Sequence, residues 1–267
     1  MGKLLLTVDV ENWYNSRLFD TKAADHYKSW VSDLEEDLDA TLELFSRLGI
    51  VCTFFVLGCE LERRPTILSK IRKRGHEVAM HAYRHDMHED LISFKSDLDR
   101  GFKVFHTLGY QPLGYRHPYF NINKQKLEIL SNFFEYDSSL VPSLHIPGHY
   151  GSPFSNTKVH FYNRMMELPL TVFPYLRLPA ATGWYMRNLG YSYVKFMLAK
   201  RLKSEGVAVL CVHTWEFTPK PSIKGVPNHV FKNTGKQMVK MVTNLVRELE
   251  CIGAQSATCY EFLKCRE

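Results

Sequence analysis

The chain's 267 residues, 45% hydrophobic, 13% aromatic and 23% charged, suffice to bury one core of barrel size and exclude a disordered or collagen-like polymer. Lys and Arg number 34 against 28 Asp and Glu, a formal charge of +6 that favours an anionic substrate or membrane face without requiring either. No zinc-finger, RRM or arginine-rich signature accompanies this surplus, so no nucleic-acid partner is expected.

Met1 to Thr7 holds one lysine and three leucines, too short an apolar run for a signal-peptide core, and no stretch reaches the roughly 18 uninterrupted apolar residues of a spanning helix. A cytoplasmic protein is the expectation. Lys3 to Asp9, Ile50 to Leu57 and Gly206 to His213 are short apolar runs that predict buried parallel strands. After the first, Ser32 can cap a helix with Glu35 three residues on. Leu34, Leu38, Leu42, Phe45 and Leu48 then repeat at helical spacing until Gly49 stops the turn. Further helices are predicted at 61–74, 90–108, 123–134, 189–205 and 235–250. Such alternation means a barrel or a doubly wound sheet in one α/β domain spanning 1–267. Residues 140–184, broken by Pro142, Pro147, Pro153, Pro169, Pro174 and Pro179 among many aromatics, predict an irregular insertion that shapes one side of a cleft. The six cysteines form no C-x-x-C pair and predict buried free thiols.

Four segments carry residues able to do chemistry, each at the end of an expected strand. Asp9 and Glu11, two apart, can turn both carboxylates to one side of a strand's C-terminal edge. His81 and His85 lie four apart after the apolar run Val78-Ala79-Met80. At that spacing two imidazoles converge on one cation and, with a carboxylate, leave positions open for water; a histidine-rich loop containing His76 and His88 gives the same pattern without a metal, and His76 reads as structural. Arg116 precedes the turn His117-Pro118-Tyr119-Phe120, where a guanidinium can hold a carboxylate by two hydrogen bonds. His213 ends the run Val209-Leu210-Cys211-Val212.

These four segments, in this order, resemble the polysaccharide deacetylase family, the NodB-homology carbohydrate esterases, over nearly the whole chain. Thr53-Phe54-Phe55-Val56-Leu57-Gly58 is similar to the family's second strand. Asp137-Ser138-Ser139, Glu167-Leu168-Pro169-Leu170 and His213-Thr214-Trp215-Glu216 resemble a subgroup opening with Asp-Val-Glu and linked to exopolysaccharide or glycolipid assembly. Two departures stand out: the family's adjacent Asp-Asp is Asp9-Val10-Glu11 here, and its aspartate before a tryptophan has no counterpart.

The resemblance implies a distorted (β/α) barrel of about seven parallel strands and a metal-dependent hydrolase that removes an N-acetyl group from an amino sugar in a polysaccharide or lipid-linked glycan precursor. It implies a divalent ion, Zn²⁺ before others, on Glu11, His81 and His85. Asp9 would be the base, His213 the acid, Arg116 the group that orients Asp9, and the backbone N–H of Tyr119 the oxyanion donor. Trp13, Tyr14, Phe120, Trp184 and Trp215, with the Tyr119 ring, offer flat faces for sugar, although half or more of them can equally be core. A lipid-linked substrate would bring peripheral membrane contact; the basic helix at Lys236 to Arg247 is a candidate surface for it, though an amphipathic core helix fits that segment better. Alternatives are a deformylase of a lipid-linked aminosugar, an allantoinase-like cyclic amide hydrolase, and a carbohydrate-binding barrel without turnover.

Overall fold

Strand β1 (Gly2–Val10) is buried from Leu4 onward, and its apolar residues face packed layers on both sides, which requires covered faces and neighbours on both edges. The computed structural model describes residues 1–15, 33–145, 150–173, 176–220 and 226–266. In it β1 pairs in parallel with β2 (Thr53–Val56), with β8 (Val207–His213) and, at its start, with β9 (Ala254–Ser256). The remaining strands are β3 (Glu77–Met80), β4 (Gly114–Tyr115), β5 (Tyr136–Asp137), β6 (His160–Tyr162) and β7 (Met165–Glu167), and the sheet runs β6-β7-β5-β4-β3-β2-β1-β8.

The result is a curled, mostly parallel sheet forming a half-barrel. Among the described residues nine strands are seen where about seven parallel ones are expected, and β6 runs antiparallel to β7. The gap between β7 and β8 is spanned by single contacts: Thr171 N–H donates to the Val209 carbonyl, and Cys211 N–H to the Ala181 carbonyl. Residues 140–184 are therefore more than an irregular excursion. They contain β7, whose Glu167 pairs with Asp137 inside the sheet.

Helix α1 (Leu34–Leu48) buries Leu34, Leu38, Leu42 and Phe45, each contributing about 1.5–3 kcal/mol, and ends at Gly49 in the left-handed conformation. Ser32 lies outside the described residues; Asp33 occupies the cap position without a side-chain bond. The segment expected as one helix at 61–74 is two, α2 (Gly58–Arg63) and α3 (Thr66–Arg72), parted at Pro65, whose ring cannot continue the first. Helices α4 (Leu91–Thr107) and α5 (Lys124–Leu130) are capped by Asp90 and Asn123. Then come α6 (Gly183–Leu189), α7 (Tyr191–Glu205), α8 (Asn228–Phe231), α9 (Lys236–Cys251) and α10 (Cys259–Lys264). Helix α9 buries Met238, Val242, Leu245, Val246 and Leu249, which makes it a core helix.

Parallel registry aligns the strand ends. Asp9 is level with Phe55 and His213, Met80 with Tyr115, and Tyr115 with Asp137. Every side chain that follows a strand end therefore emerges on the same edge.

Candidate active site

On that edge the structure gathers Asp9, Glu11, His81, His85, Arg116 and His213. The Arg116 guanidinium is fully buried and fully committed. Its Nη1 donates to Asp9 Oδ1 and Thr7 Oγ1, both at 2.8 Å, while Nε and Nη2 donate to the Ser138 carbonyl and hydroxyl at 2.9 Å. It touches only one Asp9 oxygen, so the expected two-bond grip on a carboxylate is shared with Thr7. Burial pushes the Asp9 carboxyl up, but Arg116 and then His81 and His213 outweigh it and hold the group at about 2. The second Asp9 oxygen accepts from the Cys211 thiol at 3.3 Å and lies 3.9 Å from His81 Nε2.

His81 is buried, and its Nδ1 lies 2.9 Å from the Arg116 carbonyl. A carbonyl only accepts, so Nδ1 carries the proton and Nε2 presents a lone pair that finds no hydrogen-bond partner. Burial lowers this imidazole to about 4, the neutral form that a metal needs. His85 Nε2 approaches Glu11 Oε2 at 2.6 Å, and the donor atoms of Glu11, His81 and His85 all lie within 4.8 Å of one another. Despite burial, Glu11 is lowered, chiefly by His85. Two carboxylate and imidazole atoms crowded together beside an orphaned, buried Nε2 form a donor set that one divalent cation could span.

The two turns carrying these residues are braced and strained. Asp97 of α4 accepts the Tyr83 and Arg84 N–H groups at 2.7 and 3.0 Å and sits 3.4 Å from His88. Lys126 Nζ donates to the Met87 and Asn121 carbonyls, tying the His81 loop to the Pro118 turn. Ala82, His88, Tyr119 and Phe120 adopt positive φ, a cost of order 1–3 kcal/mol each that the surrounding bonds sustain. The Tyr119 ring packs edge-on against His85 at 4.3 Å and its hydroxyl donates to the Asn15 carbonyl at 2.6 Å. His76 accepts from Cys52 N–H in the core, a structural place.

From the end of β8, next to Asp9, His213 Nε2 lies 3.5 Å from Glu11 Oε1. Its Nδ1 is 3.5 Å from Glu216 Oε2, which also accepts the His213 N–H at 2.9 Å. Glu216 is wholly buried and accepts from Arg187 Nε at 2.8 Å; Arg187 in turn donates to the Val230 and Lys232 carbonyls. Burial alone would raise Glu216, yet Arg187 and His213 hold it at about 2. Burial would likewise lower His213, but Glu216, then Glu11 and Asp9, raise it to about 9. Gly183 makes room for this: a Cβ there would lie 2.0 Å from Glu216 Oε2.

Sequence reasoning gave Glu216 and Arg187 no role. The chain of three residues from His213 to Glu216 was a usable signal, whereas Arg187, 29 positions away, had none. The paired acids Asp137 and Glu167 were likewise without a role. They accept from Ser139 and from Leu140 N–H, and Ser139 in turn accepts the His117 N–H, so they hold the Arg116 turn from beneath. Burial pushes both carboxyls up, and Glu167 goes furthest because the neighbouring Asp137 carboxyl adds to the burial penalty on its charged form.

The aromatic set divides. Trp13 and Trp215, each 6% exposed, pack with Val230 in a satellite cluster, so little of either ring reaches the surface. Trp215 instead stacks on His213, centroids 5.6 Å apart. Tyr14 and Phe120 are part-exposed, Phe120 lying 5.7 Å from the Arg116 guanidinium. Trp184 is partly exposed against Tyr185 and His229, and none of its described contacts reaches Glu11, His81 or His85.

The α/β half-barrel fold is shared with solved structures. A family 4 carbohydrate esterase from Streptomyces lividans superposes with TM-score 0.56 at 13% identity, over 96% of this chain and 92% of that one. The Puue allantoinase gives 0.68 at 12%, over 98% and 89%. A family 4 pseudoenzyme from Bacillus anthracis gives 0.58 at 13%, over 98% and 66%. Likeness at these identities shows the fold alone. Residues 19–133 match the family model described as polysaccharide deacetylase, and residues 138–255 one described as a domain of unknown function. The polysaccharide deacetylase likeness thus lies in residues 19–133. Among curated proteins it is similar to peptidoglycan deacetylase-like protein FGM2 of Gibberella zeae, 26% identical over 52% of this chain and 44% of that one. It is also similar to the peptidoglycan-N-acetylglucosamine deacetylase PgdA of Listeria monocytogenes, 30% identical over 33% and 19%. The matched stretches span less than half the length of these relatives.

Proposed function

We propose that the chain hydrolyses the N-acetyl amide of an amino sugar in a glycan or lipid-linked glycan precursor, with a divalent ion, Zn²⁺ first, on Glu11, His81 and His85. The observation that carries this reading is the pairing of two oppositely tuned groups, Asp9 and His213, with side-chain atoms within 4.8 Å of each other and close beside those three donors. The names of the curated relatives support the substrate class.

An amide is a poor electrophile with a poor leaving group, so hydrolysis near neutrality needs an activated water and a proton for the departing nitrogen. A bound ion supplies Lewis acidity and a water whose pKa falls to about 7. Asp9, kept ionised by Arg116, accepts the proton of the attacking water. His213, kept protonated by Glu216, delivers a proton to the leaving amine. The Tyr119 backbone N–H donates to the developing oxyanion, and Pro118 limits the freedom of that turn. Tyr14 and Phe120 are part-exposed rings that could pack on a sugar face.

The test is elemental analysis of purified protein together with acetate release from N-acetylated amino-sugar oligomers. About one divalent ion per chain, lost in His81→Ala and His85→Ala along with turnover, is the expected result. Metal-free protein after reconstitution, or turnover confined to N-formyl or cyclic ureide substrates, overturns the assignment.

A further inference from the structure

From residue 138 to residue 204 the sequence contains a single carboxylate, Glu167, and that one is buried in the sheet. The same stretch places large apolar side chains in solvent. Phe154 is 99% exposed and Phe196 on α7 is 56% exposed, while Leu144 and Leu176 also stand out. These positions form one face. The Arg177 carbonyl accepts from Leu144 N–H at 3.0 Å, and Arg177 Nη1 donates to the Ser155 carbonyl at 2.8 Å, which draws Leu144, Phe154 and Leu176 around one residue. Lys200 Nζ lies 5.0 Å from the Phe173 ring and 5.6 Å from the Phe196 ring, joining that turn to α7. Beside Phe196 opens an apolar groove of about 560 Å³, walled by Ala199, Leu202 and the exposed Ile252, with Lys200 and Lys203 on its lining.

We propose that this face, the outer side of α7 with Ile252 and the turn around Arg177, seats the protein on an anionic lipid bilayer. Apolar side chains interleaved with lysines, with no acid on the groove's lining, match an interface that is apolar below and negatively charged above. A contiguous apolar patch of this kind on an otherwise charged protein marks a docking surface. A second copy is disfavoured as occupant, because a two-fold contact sets the patch against itself and brings lysine to lysine. The helix that the sequence offered for this role, α9, is committed to the core. The inference is independent of the deacetylase reading, since it rests on surface chemistry away from the strand-end site.

The test is co-sedimentation of the full chain with vesicles of phosphatidylcholine alone or with added phosphatidylglycerol, read also against salt. Wild type is expected to bind the anionic vesicles, to release as salt rises and to bind phosphatidylcholine weakly. Lys200→Glu with Lys203→Glu, and separately Phe196→Ser with Ile252→Ser, are each expected to lower binding at least about tenfold. Thermal melts check that both pairs remain folded, and Phe154→Ser with Leu176→Ser serves where a melt shifts. No binding to anionic vesicles, equal binding to both vesicle types, or binding indifferent to the variants overturns the proposal. So does a wild-type dimer in sedimentation that the same variants dissociate. Acetate release in free solution should be unchanged in the variants, so failure of docking and failure of the catalytic assignment are separable.

Discussion

His81 and His213 are the same residue type on two sides of one site, and their surroundings drive them in opposite directions. His81 is closed off beneath the β3–β4 edge, its Nδ1 spoken for by a backbone carbonyl, and burial leaves it neutral at about 4. His213 lies against Glu216, a carboxylate that Arg187 holds ionised, and is raised to about 9. Burial penalises the charged form of both, so the difference comes from the partner: a neutral carbonyl orients an imidazole, whereas an ionised carboxylate also keeps it protonated. One side is built to donate a lone pair, the other a proton.

The sharpest way to break this comparison is to remove the lone pair. His81→Ala should abolish metal retention and turnover together, seen by elemental analysis and acetate release. Asp9→Asn should keep metal and lose roughly 10²–10⁴-fold in turnover, the scale of general acid–base catalysis. It also strands the buried Arg116 charge, so a melting experiment should show destabilisation of about 3–5 kcal/mol. His213→Ala should match that loss in turnover without the stability change. Glu216→Gln should cost about 10–100-fold, as loss of a residue that orients a reacting group does. Since Glu216 raises His213, activity that needs protonated His213 falls as pH climbs through its pKa. The variant should therefore move the alkaline limb of the pH–rate profile downward, and an unmoved limb would separate Glu216 from the proton donor.

Gly183→Ala makes the same point from the backbone. Its Cβ would collide with the Glu216 carboxylate, so the variant should reproduce part of the Glu216→Gln effect on rate and destabilise by about 1–3 kcal/mol. Tyr119→Phe should have the smallest effect, about 1 kcal/mol for one hydrogen bond, because the role assigned to Tyr119 uses its backbone. A large rate loss there would move the role to the phenol.

Much of this is legible in the sequence. The apolar runs ending in Asp9 and His213 are strands, and the stripe from Leu34 to Phe45 is a helix, because burial enforces those periods locally. The break at Pro65 was visible as a proline, but the spacing of Leu61, Leu68 and Ile71 continues through it and hides the interruption. Strand β7 was obscured for the opposite reason. Three residues among prolines and aromatics carry no period, and Met165 to Glu167 become a strand only because β5 offers a ladder.

The sequence by itself determined which residues stand at the strand ends, since alternation of apolar runs with helical stripes sends each chemistry-bearing residue to one edge. Tertiary structure alone decided what those residues become. Arg187 reaches Glu216, Ser138 reaches Arg116, and Glu167 reaches Asp137 across 20 to 30 residues of chain. The charge state of a buried group follows from the few ångströms around it, which no local pattern in the sequence encodes.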